Sequence, residues 1–413
     1  MIPEYKKITL ENGFEIYHAP VNEKSGVISV DLYYKVGSRN EVMGKTGIAH
    51  MLEHMNFKST KTHKAGEFDK IVKGFGGVNN ASTGFDFTHY YIKCEQSNLE
   101  KCLELYSDMM ENLSLKDKEF ASERNVVAEE RRWRTDNNPF GFLYFKLFES
   151  AFGYHPYHWL PIGFYEDIIS WDIKDIRDFH STYYQPKNSF LMLSGALDEK
   201  RAFSLAKKYF EKVPNKGDLP KFHFVEPRQE GAKEITILKE SQAQMCAIAF
   251  KIPNFAHKDA VALDALAQFL GDGKSSFLYD ELVQKSSLAN DISAFSMSLK
   301  DAGLFVILAV ANPKIRAKKL KDEILKLLKK VENSINEKQI EKIKNSLKIN
   351  LEYSLLSASG LANLVGEYIA NGDTKPLYEL ESRTENLKVD DLKNVAKKYL
   401  NKNQMTSVIL KDK

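Results

Sequence analysis

Apolar and polar residues alternate near the start of the chain. The pattern predicts strands over residues 7–10, 14–17 and 27–34, with a turn at Asn12-Gly13. The spacing then lengthens to that of helices, predicted around 46–58, 66–74, 97–112, 117–134, 141–151, 173–183 and 199–211, with a strand near 189–195. Pro214 opens a break in pattern that runs through Pro227 and Gly231, and strands resume over 233–239 and 244–252. The expected division is a first half over 1–213, a linker over 214–231 and a second half over 232–413. A weak internal repeat supports related halves: Asp175, Ile176, Tyr183 and Asn188 are echoed by Asp391, Leu392, Tyr399 and Asn403. Each set reads as a helix ending in Tyr, a short turn and a terminal strand.

The predicted helix at 46–58 carries the most informative residues, His50-Met51-Leu52-Glu53-His54. This is H-x-x-E-H, the reverse of the H-E-x-x-H order of many zinc proteases. His50 and His54 are i and i+4, so both imidazoles leave one helix face. Two neutral imidazoles so placed can chelate one zinc ion. Glu53 lies close enough to that face to reach a water at the metal. Ile48, Met51, Leu52 and Met55 supply the apolar spacing of a packed helix. An amphipathic helix with two structural histidines would show the same flanks, so a third ligand has to decide.

The best place for it is the Gly- and Pro-free stretch from Asp117 to Arg134. Glu130 lies 76 positions after His54 (130 − 54), and Glu123 lies two turns before Glu130 on the same face. One carboxylate can ligate zinc while the other hydrogen-bonds a ligating imidazole. Read alone, Glu123, Glu129 and Glu130 fit better as a solvated charged face flanked by arginines.

Taken together, these motifs resemble the pitrilysin-type (inverzincin) metallopeptidases, which include the mitochondrial processing peptidases. That pattern is H-x-x-E-H followed by a ligating Glu within E-R-x-V-V-x-E-E, and residues 123–130 match it. The resemblance implies His50, His54 and Glu130 as ligands of one Zn2+ per chain, Glu53 as general base and Glu123 as hydrogen-bond partner of a ligand. It also implies an α+β fold of two homologous α/β sandwich halves, each a mixed or antiparallel sheet with helices packed on one face, and zinc in the first half only. Residues 77–83 with Asp86 and Thr88 are similar to the family's N-A-x-T-x-x-D-x-T edge strand, which makes Asn80, Ala81 and Ser82 candidates for binding an extended peptide. His155-Pro156-Tyr157 with Pro161-Ile162-Gly163, and Tyr184 to Asn188, resemble two further family loops.

One departure stands out. Many relatives carry an Arg and a Tyr seven apart in the second half, at the zinc site. Here Val283 and Asn290 occupy those places. A dimer is expected, and a heterodimer is favoured over a homodimer, with a homologous subunit that lacks the zinc motif and supplies the Arg–Tyr pair. The expected activity is zinc-dependent endopeptidase cleavage of peptides or unfolded segments held extended in a chamber. The alternative is a non-catalytic structural or partner subunit of the same fold.

Composition narrows the classes. The 413 residues are 43% hydrophobic and 11% aromatic, ample for more than one core. A net charge of +3 leaves no broad basic field for nucleic acid. No apolar run is long enough to span a membrane. The start lacks a signal-peptide core, and three scattered cysteines read as reduced thiols, so a cytoplasmic location is expected, or a periplasmic one if a leader has been removed.

Overall fold

The computed structural model describes residues 2–21 and 23–413. It contains two mixed sheets, each in its own compact unit. The first sheet is built from β1 (Lys6–Thr9), β2 (Glu15–Ala19), β3 (Val27–Tyr34), β4 (Val78–Thr83), β5 (Thr88–Glu95) and β6 (Ser189–Gly195) in the order β1-β2-β6-β3-β5-β4. All pairs are antiparallel except β2–β6. The second sheet is β7 (Lys233–Leu238), β8 (Met245–Ile252), β9 (Ala289–Ser298), β10 (Gly303–Ala311) and β11 (Met405–Lys411) in the order β7-β11-β8-β10-β9, with β11–β7 parallel. The expected repeat is present: Ile173–Tyr183 and Val389–Tyr399 are helices, each followed by a short 3-10 turn and then by β6 or β11.

The units are not sequential halves. The first comprises residues 1–131, 159–223 and 351–377; the second comprises 132–158, 224–350 and 378–413. Each unit thus includes a helix from the other half of the sequence. In the first, α1 (Ile48–Asn56), α2 (Glu67–Gly74), α3 (Leu99–Asn112) and α4 (Asp117–Arg131) contribute to a core containing Leu32, Tyr34, Met51, Leu103 and Val127. Successive strand residues point to opposite faces, so Tyr33 looks away from that core. It meets helix Ala358–Asn371 there, its hydroxyl donating to Ala362 O and its ring lying where a Cβ on Gly366 would stand. The second unit receives α5 (Pro139–Ala151), which packs on β8 and β11. Both faces of the central strands are therefore covered, which accounts for the nearly continuous burial along β6 (Ser189–Gly195) and β10.

The helix expected over 117–134 ends at Arg131 and continues as a π-turn, Arg132–Asp136, in which Asn137 N–H reaches Arg132 O at 2.7 Å. The Arg134 carbonyl lies only 1.9 Å from where a Cβ on Gly141 would stand, so glycine alone permits this turn. Asn138 then caps α5, accepting from Phe140 and Gly141 N–H, with Pro139 in its first turn.

Glu226 fastens the segment after α5 within the second unit. Its carboxylate accepts from Gly153, Tyr154 and His155 N–H and from Lys251 Nζ, all at 2.8–2.9 Å. Burial alone would raise its pKa; the four donors outweigh burial and hold it at about 2. A carboxyl depressed in the folded state stabilises above its unfolded pKa, and that stability disappears as pH falls toward 2. Glu226→Gln is expected to lower stability to urea at pH 7 by roughly 2 kcal/mol. The gap from wild type should close between about pH 4 and pH 2.

Candidate metal centre

The site is built where α1 crosses α4. The inner face of α1 buries Ile48, Met51, Leu52 and Met55, as its apolar spacing predicts. His50, Glu53 and His54 are left partly buried on the other side. On α4, Phe120, Glu123, Val127 and Arg131 are buried, Glu130 is half-buried and Glu129 is exposed. The register thus brings Glu130 to the histidines and leaves Glu129 outside.

Three donor groups converge. Glu130 Oε2 lies 3.8 Å from His50 Nε2 and 3.4 Å from His54 Nε2, and one ligand atom from each residue falls within 4.8 Å of the other two. Donors at tetrahedral positions about 2.0–2.1 Å from zinc would be about 3.3 Å apart. The three residues therefore fit one zinc ion with small side-chain movements, and two imidazoles with one carboxylate is a donor set that zinc accepts.

The neighbours orient these groups. Glu123 Oε1 is 2.9 Å from His54 Nδ1, and Glu123 Oε2 is 2.5 Å from Lys58 Nζ. The carboxylate thus turns His54 Nε2 toward Glu130, as a carboxylate behind a ligating histidine does. Burial works against a charged imidazole, but Glu123 and Glu130 outweigh it and lift the His54 pKa to about 9. The Glu123 carboxyl is held below its ordinary value: burial would raise it, and His54 and Lys58 overcome that.

Less visible in sequence is what holds α1 in place. Its N-terminus has no side-chain cap at Gly47. Buried Glu41 accepts from Gly47 N–H, Ala49 N–H and Trp159 Nε1, each at 2.8 Å. Gly47 has φ +85°, and a Cβ there would lie 2.8 Å from Ile162 O. On the facing loop, a Cβ on Gly163 would come within 2.6 Å of Thr46 and Gly47 backbone. The Pro161-Ile162-Gly163 loop is thereby a wedge against the start of α1, and Arg131 at the end of α4 donates to Gly163 O.

The candidate peptide-binding residues lie on β4, an edge of the first sheet. Asn80 and Ser82 are exposed, while Asn79, Ala81 and Thr83 are half-buried. Thr83 Oγ1 reaches Glu53 Oε2 at 2.5 Å. The structure so brings together His50, His54 and Glu130, sets Glu123 behind His54, and places Glu53 against Thr83 of β4, which lies beside α1. Sequence reasoning passed over Lys58, Glu41 and the Thr83 contact. Only Thr83 left a trace, as the end of the N-A-S-T stretch. Val283 and Asn290 lie in the second unit, on a π-turn and on β9.

Comparison with known proteins bears on this geometry. The family model described as "Insulinase (Peptidase family M16)" matches residues 18–152, and "Peptidase M16 inactive domain" matches 170–347. Zinc protease PqqE of Helicobacter pylori (strain ATCC 700392 / 26695) is 48% identical over 414 residues, covering 99% of this chain and 93% of that protein. The chain belongs to peptidase family M16. Mitochondrial-processing peptidase subunit beta of Bos taurus is 26% identical, over 97% of this chain and 82% of that one. A crystal structure of a protease from Helicobacter pylori matches with a TM-score of 0.97 and 49% identity, over 100% of both chains. The M16 inactive domain from Pseudomonas fluorescens shares the fold at a TM-score of 0.89 and 16% identity, over 99% of this chain and 98% of that one.

The geometry predicts distinct effects on metal binding. Glu130→Gln should abolish tight zinc binding, Glu123→Gln should weaken it about tenfold to hundredfold, and Glu129→Gln should leave it unchanged in a competitive chelator titration. Because His54 must lose its proton to bind metal, zinc affinity should rise about tenfold per pH unit between pH 6 and 8. A flat profile would mean that His54 does not ligate through its ring.

Proposed function

We propose that this M16 chain is a zinc-dependent endopeptidase acting on peptides or unfolded segments bound in extended form. The observation that carries this reading is the convergence of His50, His54 and Glu130, with Glu53 between the two histidines on α1. Membership of family M16 and the name of the Helicobacter pylori relative support a protease. When bound, zinc would supply a Lewis acid and lower the pKa of water toward 7.

His50, His54 and Glu130 hold the metal, and Glu123 keeps His54 in register. Glu53 takes the proton of the attacking water and returns it to the departing amine. The exposed edge of β4 pairs with the peptide backbone near Asn80, Ala81 and Ser82, and this mode reads main chain more than side chain.

A second reading has its own support in Val283 and Asn290, which stand where many relatives carry Arg and Tyr. On that reading the catalytic residues are completed by a homologous subunit that supplies the pair. A homodimer that works without the pair, or a non-catalytic subunit, is what remains if no such partner is needed or if no partner confers activity.

Glu53→Gln should retain one zinc per chain and lose about 100-fold to 10,000-fold in peptide hydrolysis. Near wild-type hydrolysis by this variant would exclude Glu53 as the base. Wild-type protein that binds zinc yet cleaves no peptide, even with a co-purifying homologue restored, would leave the non-catalytic reading standing.

A further inference from the structure

Glu53 is not simply presented by α1. Thr83, the last residue of β4, reaches its Oε2 at 2.5 Å through a hydroxyl that can only donate to a carboxylate. The pleat of the strand sets this contact: Asn79, Ala81 and Thr83 turn inward while Val78, Asn80 and Ser82 turn to solvent. Thr83 is also paired with Thr88 across the β4–β5 ladder, so its backbone is fixed where its side chain meets Glu53.

A hydroxyl held against one carboxylate oxygen favours one orientation of that carboxylate. We propose that Thr83 is a positioning residue for Glu53 and links the peptide-binding edge strand to the general base. The proposal rests on the peptidase reading above. Among the described residues β4 pairs only with β5, so its outer edge is where a bound peptide would add. A peptide paired there braces the strand that carries Thr83 and thereby the orientation of Glu53. The same contact would give an extended main chain an advantage over compact substrates, because only a paired strand stiffens β4 up to its last residue.

Thr83→Val removes the hydroxyl and keeps the shape and β-branching of a strand residue. It is expected to retain zinc content, melting temperature and affinity for a fluorescently labelled extended peptide, while kcat falls about tenfold to hundredfold. Thr83→Ser should recover kcat to within about threefold, and adding Thr83→Val to Glu53→Gln should lower the residual rate no further, because both act on one group. An unchanged kcat, a loss that serine does not recover, or a fully additive double variant overturns the proposal. A Thr83→Val protein that loses zinc or melts early also overturns it, by assigning the threonine a structural role. Wild-type protein without chelator-sensitive hydrolysis refutes the peptidase reading itself, a result separate from any difference among the Thr83 variants.

Discussion

The proposed zinc site requires two helices that are remote in sequence to meet closely enough for one metal ion to touch both. His50 and His54 come from α1 and Glu130 from α4, and the usable spacing between donors is only 3–4 Å. Such a constraint tolerates little sliding, since a shift of one residue along α4 would exchange half-buried Glu130 for exposed Glu129. Register is secured from three sides. Apolar side chains of α1 and α4 share one core. Glu123 bridges His54 and Lys58. Glu41 and the Pro161–Gly163 loop fix the start of α1, and Arg131 ties the end of α4 to that same loop.

This arrangement concentrates charge in a partly buried place. Two glutamates act on His54, and their attraction outweighs the cost of burying its positive charge. Without metal, the proton on His54 balances part of that negative field. With metal, the cation would take over this role, so the site would exchange one positive charge for another instead of assembling charge from nothing. Lys58 belongs to the same balance, because it neutralises the Glu123 oxygen that faces away from the ring.

What could be read from sequence was local. The i, i+4 histidines, the apolar stripe of α1, the two-turn spacing of Glu123 and Glu130, and the alternation of β3 follow from helix and strand periods, and each lies where those periods put it. The repeat around Tyr183 and Tyr399 was legible for the same reason. The exchange of helices between units was not, because α5 and Ala358–Asn371 are apolar helices whose periodicity says that they pack but not against which sheet. The π-turn at Arg132–Asp136 depends on Gly141, nine residues beyond its start. Glu41 and Thr83 act across 6 to 118 positions of chain through loops and a sheet edge, and no periodic pattern encodes such contacts.

The central claim is that two imidazoles and one carboxylate from α1 and α4 form a single zinc site. X-ray absorption at the zinc edge, on protein loaded with one equivalent of zinc, tests it most directly. The account predicts a first shell of nitrogen and oxygen only, at about 2.0–2.2 Å, with the outer-shell scattering of two imidazoles, and loss of that signature in Glu130→Gln. A sulfur in the first shell, a single imidazole, or a spectrum unchanged by Glu130→Gln would contradict it.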